Sequence, residues 1–200
     1  MLVLAFSASS YATDRLTIEP IGFYGKSQFL YRAKDPACVC QKSNCAFEDE
    51  GGKQECIPVK LISFDLSSDK VTFIDQKTLK AISVAGTPPA IGKFPIVFNG
   101  DRFSVSLRDG CNKNYESFPP GTSNVECEVF LISKNLGRKK VSSISFYPSP
   151  NHSISVIGYF KHPSELKVVI VLQEGNYQFE GESYFYQKTI GADLTKGFKK

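Results

Sequence analysis

Tryptophan is absent from this 200-residue chain, histidine occurs only twice, and no apolar run approaches the roughly 18 residues that a membrane-spanning helix requires. His152 and His162 stand in neither H-E-x-x-H nor any other i, i+4 pair, so the sequence offers no histidine-based metal centre. Charge of one sign is also scarce. Twenty-four Lys and Arg against 20 Asp and Glu leave a net +4, too little and too dispersed for a surface dedicated to a nucleic-acid backbone. The one basic cluster, Arg138-Lys139-Lys140, reads as a hairpin turn. Neither a G-x-S-x-G elbow nor a glycine-rich phosphate loop is present. What remains is an ordinary globular balance, 42% apolar and 22% charged, with 16 Phe and 9 Tyr to drive a core, in a length that suits one domain.

The first residues, MLVLAFSASSYA, put a short apolar stretch before small residues, and Ser10-Tyr11-Ala12 fits the small-x-small rule of signal-peptide cleavage. Residues 1–12 therefore read as the remnant of an export signal, with an ordinary core strand as the alternative. Residues 13–200 then form a single all-β domain. Six cysteines agree with export: Cys38, Cys40, Cys45 and Cys56 lie in a polar stretch, and Cys111 and Cys127 bracket the loop NKNYESFPPGTSNVE. An even count in loops predicts a disulfide framework, with Cys111 paired to Cys127 at the base of its loop and the other four paired among themselves. A four-thiolate zinc site at C-x-C-x4-C-x10-C is the alternative, but paired C-x2-C knuckles are missing. No metal or cofactor is expected.

Period-2 alternation runs through most of the chain, which predicts an all-β fold of antiparallel hairpins and meanders. Phe103, Val105 and Leu107 share one face, Arg102, Ser104, Ser106 and Arg108 the other, and Asn99-Gly100 turns the chain back from Ile96-Val97-Phe98. Further hairpins are predicted at 60–66 with 71–74, at 129–133 with 141–146, and at 177–179 with 184–186. Residues 166–172, LKVVIVL, are apolar on both faces, as expected of a central strand covered on both sides. One short helix is predicted over 78–84, stopped by Gly86-Thr87-Pro88-Pro89. Phe47-Glu48-Asp49-Glu50-Gly51-Gly52 reads as a mobile acidic loop tip without calcium-loop spacing.

Laid against itself, the chain shows three similar units at about 21–76, 96–146 and 144–186: a Phe-rich strand, a polar turn, a second strand, an insertion, then a hairpin. Each unit resembles the four-stranded blade of a β-propeller. Three units fall short of the usual ring, so a sandwich, a barrel-like stack of meanders and a partial propeller all remain open.

Gly175-Asn176-Tyr177-Gln178-Phe179-Glu180-Gly181, followed by Tyr184, resembles the G-F-E-G-x-x-x-[FY] ending of a family of bacterial predicted secreted proteins of unknown function. Ile21-Gly22-Phe23 with Phe29-Leu30-Tyr31 is similar to that family's opening strand pair, and Asp109-Gly110-Cys111 with Tyr115 to its Gly-Cys-x-x-x-Tyr segment. The resemblance implies export and no particular chemistry.

Two places invite a functional reading. Glu174, Glu180 and Glu182 gather near the last hairpin with Tyr177, Phe179, Tyr184, Phe185 and Tyr186, where two carboxylates flanking a ring-stacked sugar would suit a glycoside hydrolase. The simpler reading is an aromatic hairpin that packs its inner rings while its acids solvate the turn. Tyr177, Phe179, Glu180, Glu182, Tyr184 and Tyr186 are the candidate ligand surface. His152 and His162, beside Pro and Ser turns, read as exposed turn residues outside any chemistry, with Asn151-His152-Ser153 a glycosylation sequon. By elimination the sequence predicts an exported, secreted or periplasmic, non-catalytic binding or scaffold domain whose partner is an unknown protein or small ligand. Alternatives are an inhibitor or effector acting through the cysteine-bounded loops, and a hydrolase using the C-terminal carboxylates.

Overall fold

The computed structural model describes residues 15–34, 46–49, 52–55, 60–84, 86–109, 111, 122, 124–146, 152–177 and 183–199. The segment 1–12, Cys38, Cys40, Cys45 and Cys56, Glu50 and Gly51, and Phe179, Glu180 and Glu182 lie outside them. The fold is all-β. In chain order the elements are β1 (Arg15–Tyr24), β2 (Gln28–Lys34), β3 (Ala46–Asp49), β4 (Gly52–Glu55), β5 (Lys60–Asp65), β6 (Lys70–Ile74), α1 (Gln76–Ala81) and β7 (Ile96–Phe98). They continue with β8 (Asp101–Asp109), β9 (Val125–Ser133), β10 (Gly137–Phe146), β11 (Ser153–Lys161), β12 (Lys167–Tyr177) and β13 (Ser183–Asp193). No helix among the described residues is long and apolar enough to cross a membrane.

Three expected hairpins form: Asn99 and Gly100 take φ of 46° and 75° between β7 and β8, and the pairs β5–β6 and β9–β10 are antiparallel. β12 and β13 are also antiparallel, but Tyr177 pairs with Ser183 and Tyr186 with Glu174, while Gln178 and Phe179 of the expected last hairpin lie outside the described residues. Two local expectations are corrected. The helix covers 76–81 rather than 78–84, because the Asp75 carboxylate accepts the Thr78 amide at 2.6 Å and caps it two residues earlier. Phe47, Glu48, Asp49 and Gly52 of the expected acidic loop lie in strands, since Ala46–Asp49 and Gly52–Glu55 pair as the β3–β4 hairpin.

Three meanders follow one another: β1-β2-β5-β6, with β3–β4 inserted as a separate two-stranded sheet; β7 to β10; and β11 to β13. The first and third join in one seven-stranded sheet of order β11-β12-β13-β1-β2-β5-β6, and the second is a four-stranded sheet, β10-β9-β8-β7. Neither closes into a barrel. Among the described residues, the seven-stranded sheet is joined at its middle by two parallel Cα pairs, Arg15↔Phe185 and Leu16↔Tyr186. There it folds back on itself, so that β11–β13 become a middle layer.

The apolar run on β12 explains why a middle layer is possible. Val168, Ile170 and Leu172 pack with Val129, Leu131, Phe103 and Ile144 of the four-stranded sheet, whereas Val169 and Val171 pack with Phe29, Phe64 and Phe160 on the other side. All five β12 residues are at most 1% exposed. Each buried aliphatic side chain contributes about 1.5–3 kcal/mol relative to an exposed one, so this strand ties both outer layers to one core. Cys111 and Cys127 are disulfide-bonded with their Cα atoms 4.6 Å apart, fastening the β8–β9 connection at its base.

Candidate functional site

His152, Glu174 and Lys188 meet where β11 begins beside β12 and β13. Glu174 accepts from His152 Nε2 at 3.1 Å and pairs with the Lys188 ammonium. The imidazole lies flat on the Phe146 ring, centroids 3.7 Å apart and planes within 9°. Its side chain is only 4% exposed and that of Glu174 17%. Burial works against the Glu174 charge, but the hydrogen bonds and charges of His152 and Lys188 outweigh it and hold the carboxyl below the usual glutamate range. A carboxyl held ionised in this way is poorly suited to donate a proton, so the cluster serves as a polar rivet. It binds the middle layer to Phe146 of the four-stranded sheet.

His162 is likewise no exposed turn residue. It is 2% exposed and 4.9 Å from the Phe23 ring. Its Nε2 lies 3.1 Å from the Gly25 carbonyl, while Nδ1 accepts the amides of Glu165 at 3.0 Å and Ser164 at 3.3 Å. The tautomer protonated on Nε2 satisfies all three groups. The expectation of exposed histidines fails because each ring also meets a group brought from another strand or turn, Glu174 for His152 and Gly25, 137 residues away, for His162.

Arg138-Lys139-Lys140 is also corrected from turn to strand. Lys139 is 9% exposed; its ammonium donates to the Asp193 and Lys196 carbonyls and lies 4.7 Å over the Phe198 ring. Arg138 bridges to Lys199 through both backbone bonds, so the C-terminal segment is clasped along β10. A second buried acid, Asp101, accepts from the Ser133 hydroxyl and from the Arg102 and Asn135 amides, tying the β7–β8 turn to the β9–β10 turn.

Of the aromatic hairpin, Tyr186 is half-buried and stands opposite Glu174 in the ladder, and Tyr177 and Tyr184 pair with Ser183 and Asn176. The ligand surface expected there includes residues outside the described set. Two other features of the surface were not singled out by sequence reasoning. Val71 and Phe73 on β6 are 47% and 65% exposed, although they stand opposite the buried Phe64 and Ile62 of β5 and so share the core-facing side. Beside them is a hollow of about 390 Å³ lined by Lys60, Leu61, Phe73, Ile74, Asp75 and Gln76. The second is a cleft of about 530 Å³ where β8 approaches β11. Among the described residues no group of three or more His, Cys, Asp or Glu side chains could hold a metal ion.

No protein-family model, curated protein or solved structure matches this chain.

Proposed function

We propose that this is an exported, non-catalytic β domain that binds an extended segment of a partner protein by adding it as a strand beside β6. The observation that carries this reading is the state of the sheet edges. The β11 edge is covered at Tyr159 by Gly92, the β10 edge at Arg138 by Lys199, and β7 has only three residues. β6 has five residues and, among the described residues, a neighbour only on its β5 side. Open edges with apolar side chains are ordinarily shielded in stable proteins, because they pair with other chains. Here Val71 and Phe73 stand two residues apart on one face, which is the spacing that an added strand reads with alternate side chains. Export is supported by the Cys111–Cys127 bond, a feature of oxidising compartments, and by the signal-like residues at the start of the chain.

The test uses a fluorescein-labelled peptide of sequence KLISFD, which copies the strand β6 already accepts on its inner side. Saturable anisotropy that weakens about fivefold or more when Val71 and Phe73 are both replaced by Lys is expected, given the energies of cross-strand apolar pairs. The same peptide N-methylated at alternate amides should fail to bind. Equal binding of the methylated peptide would overturn the reading. So would sedimentation showing a wild-type dimer that the double variant dissolves, which would make the occupant a second copy.

A further inference from the structure

The cleft between β8 and β11 is a binding site for a small amphipathic organic anion, we infer from its lining and its charge. Its origin is a bulge. The β11–β12 register shifts between Val156 and Gly158, leaving Ile157 as the extra residue. Gly158 lets the preceding segment close in, since a Cβ there would come within 2.9 Å of Ile91 Cγ1 and overlap the Gly92 carbonyl. Gly92 exchanges backbone bonds with Tyr159 at 2.8 and 3.0 Å, and Phe94 packs on the Tyr159 ring at 5.1 Å. The segment running into β7 is thereby pinned beside β11, and the cleft lies between Lys93-Phe94-Pro95, β8 and the bulge residues Val156 and Ile157.

The walls are of two kinds. Phe94, Val156 and Ile157 supply apolar surface, and Lys93, Arg102 and the Ser104 hydroxyl supply donors. Among the described residues no acidic side chain lines it. The nearest carboxylate in sequence, Asp101, is already occupied by Ser133 and the amides of Arg102 and Asn135. Among the described residues, neither Lys93 nor Arg102 forms an ion pair; the Lys93 ammonium donates to the Ile157 carbonyl at 2.9 Å. That contact fixes the cation at the mouth of the bulge. Two cations without counter-charges beside an aromatic and aliphatic wall are complementary to a flat apolar body carrying one carboxylate or sulfonate. Arg102 is suited to bidentate contact with such a group. The volume of about 530 Å³ suits a molecule of two or three rings.

The probe is anilinonaphthalene sulfonate, with uncharged phenylnaphthylamine as its shape-matched control, both titrated by fluorescence against the full-length oxidised protein. The sulfonate should bind at one site at least about tenfold more tightly than the neutral compound, and Arg102→Gln should remove about tenfold of that affinity, the scale of a charge-assisted hydrogen bond. Lys93→Gln should remove less, because its ammonium is shared with the Ile157 carbonyl. Arg102 is exposed, so the variant should keep the wild-type melting temperature and the comparison stays valid. Phe73→Lys, on the separate β6 surface, should leave the titration unchanged. Equal affinity for the neutral compound, or binding that follows Phe73 rather than Arg102, would overturn the assignment. Amide shifts induced by the sulfonate away from 93–95, 102–105 and 156–157 would do the same.

Discussion

A Cβ built on Gly191 of β13 would lie 2.7 Å from the Cα of Leu66 and overlap its carbonyl, so the β5–β6 turn rests directly on the backbone of the middle layer. The contact is secured by the Asp69 carboxylate, which accepts the Gly191 amide at 2.7 Å. β13 and the β5–β6 turn, which β1 and β2 separate in the sheet order, are thus brought together, because the seven-stranded sheet folds over at β13–β1. Gly191→Ala should force this turn away and cost about 1–3 kcal/mol, as overpacking does elsewhere. Urea unfolding measures it. A cost near zero would mean that the turn is free to lift.

His162→Ala should cost roughly 2–4 kcal/mol, since it removes a buried ring and leaves the Gly25 carbonyl and the Ser164 and Glu165 amides without their partner. His152→Ala should cost about 1–3 kcal/mol by uncovering Phe146 and taking one of two partners from Glu174. Losses below about 0.5 kcal/mol for both, the range of surface substitutions, would contradict their buried roles.

Stability should decline in acid, and Asp65 and Glu174 are two carboxylates that contribute to the loss. The Ser67 hydroxyl and the Ser67 and Ser68 amides bind Asp65 and lower its pKa to about 2. A carboxylate depressed in the folded state adds stability above its unfolded pKa of about 4 and loses it as pH falls through the folded value. The Asp65 contribution should therefore disappear between about pH 4 and pH 2. Glu174 follows the same sign, with its contribution lost as pH drops below the usual glutamate range. Urea midpoints measured across this range should fall less steeply in Glu174→Gln than in the wild type.

Reduction of Cys111–Cys127 should destabilise the fold by about 3 kcal/mol, the chain-entropy value for a loop of this size. Cys111→Ala with Cys127→Ala, compared with the oxidised protein in urea, checks it at two positions that are 2% and 0% exposed. A double variant as stable as the oxidised protein would show that the β8–β9 ladder alone holds the loop base.

Much of the fold was legible in short stretches. Alternation exposed the β7–β8 hairpin, since Asn99-Gly100 and the inward Phe103 are local signals that need nothing from the rest of the chain. The doubly apolar 166–172 announced a strand with two covered faces, and β12 is that strand. The candidate sites were less legible. Val71 and Phe73 alternate like any core strand; β6, which carries them, is the edge strand of the seven-stranded sheet, and its place there belongs to the assembly. The cleft depends on a bulge at Ile157, and the sequence marks it only by Gly158.

Strand content, the Asn99-Gly100 turn, the disulfide at 111 and 127 and the buried centre were determined by the sequence itself, because each depends on residues close together along the chain or on one periodicity. The tertiary structure alone decided the order of the layers, the parallel join of β1 to β13 and the fate of the scattered polar residues. Lys139 reads as a turn cation until the C-terminal carbonyls of Asp193 and Lys196 return to it, and His162 reads as exposed until Gly25 arrives. A polar side chain is buried only where distant backbone satisfies it, and no local pattern encodes which backbone that will be.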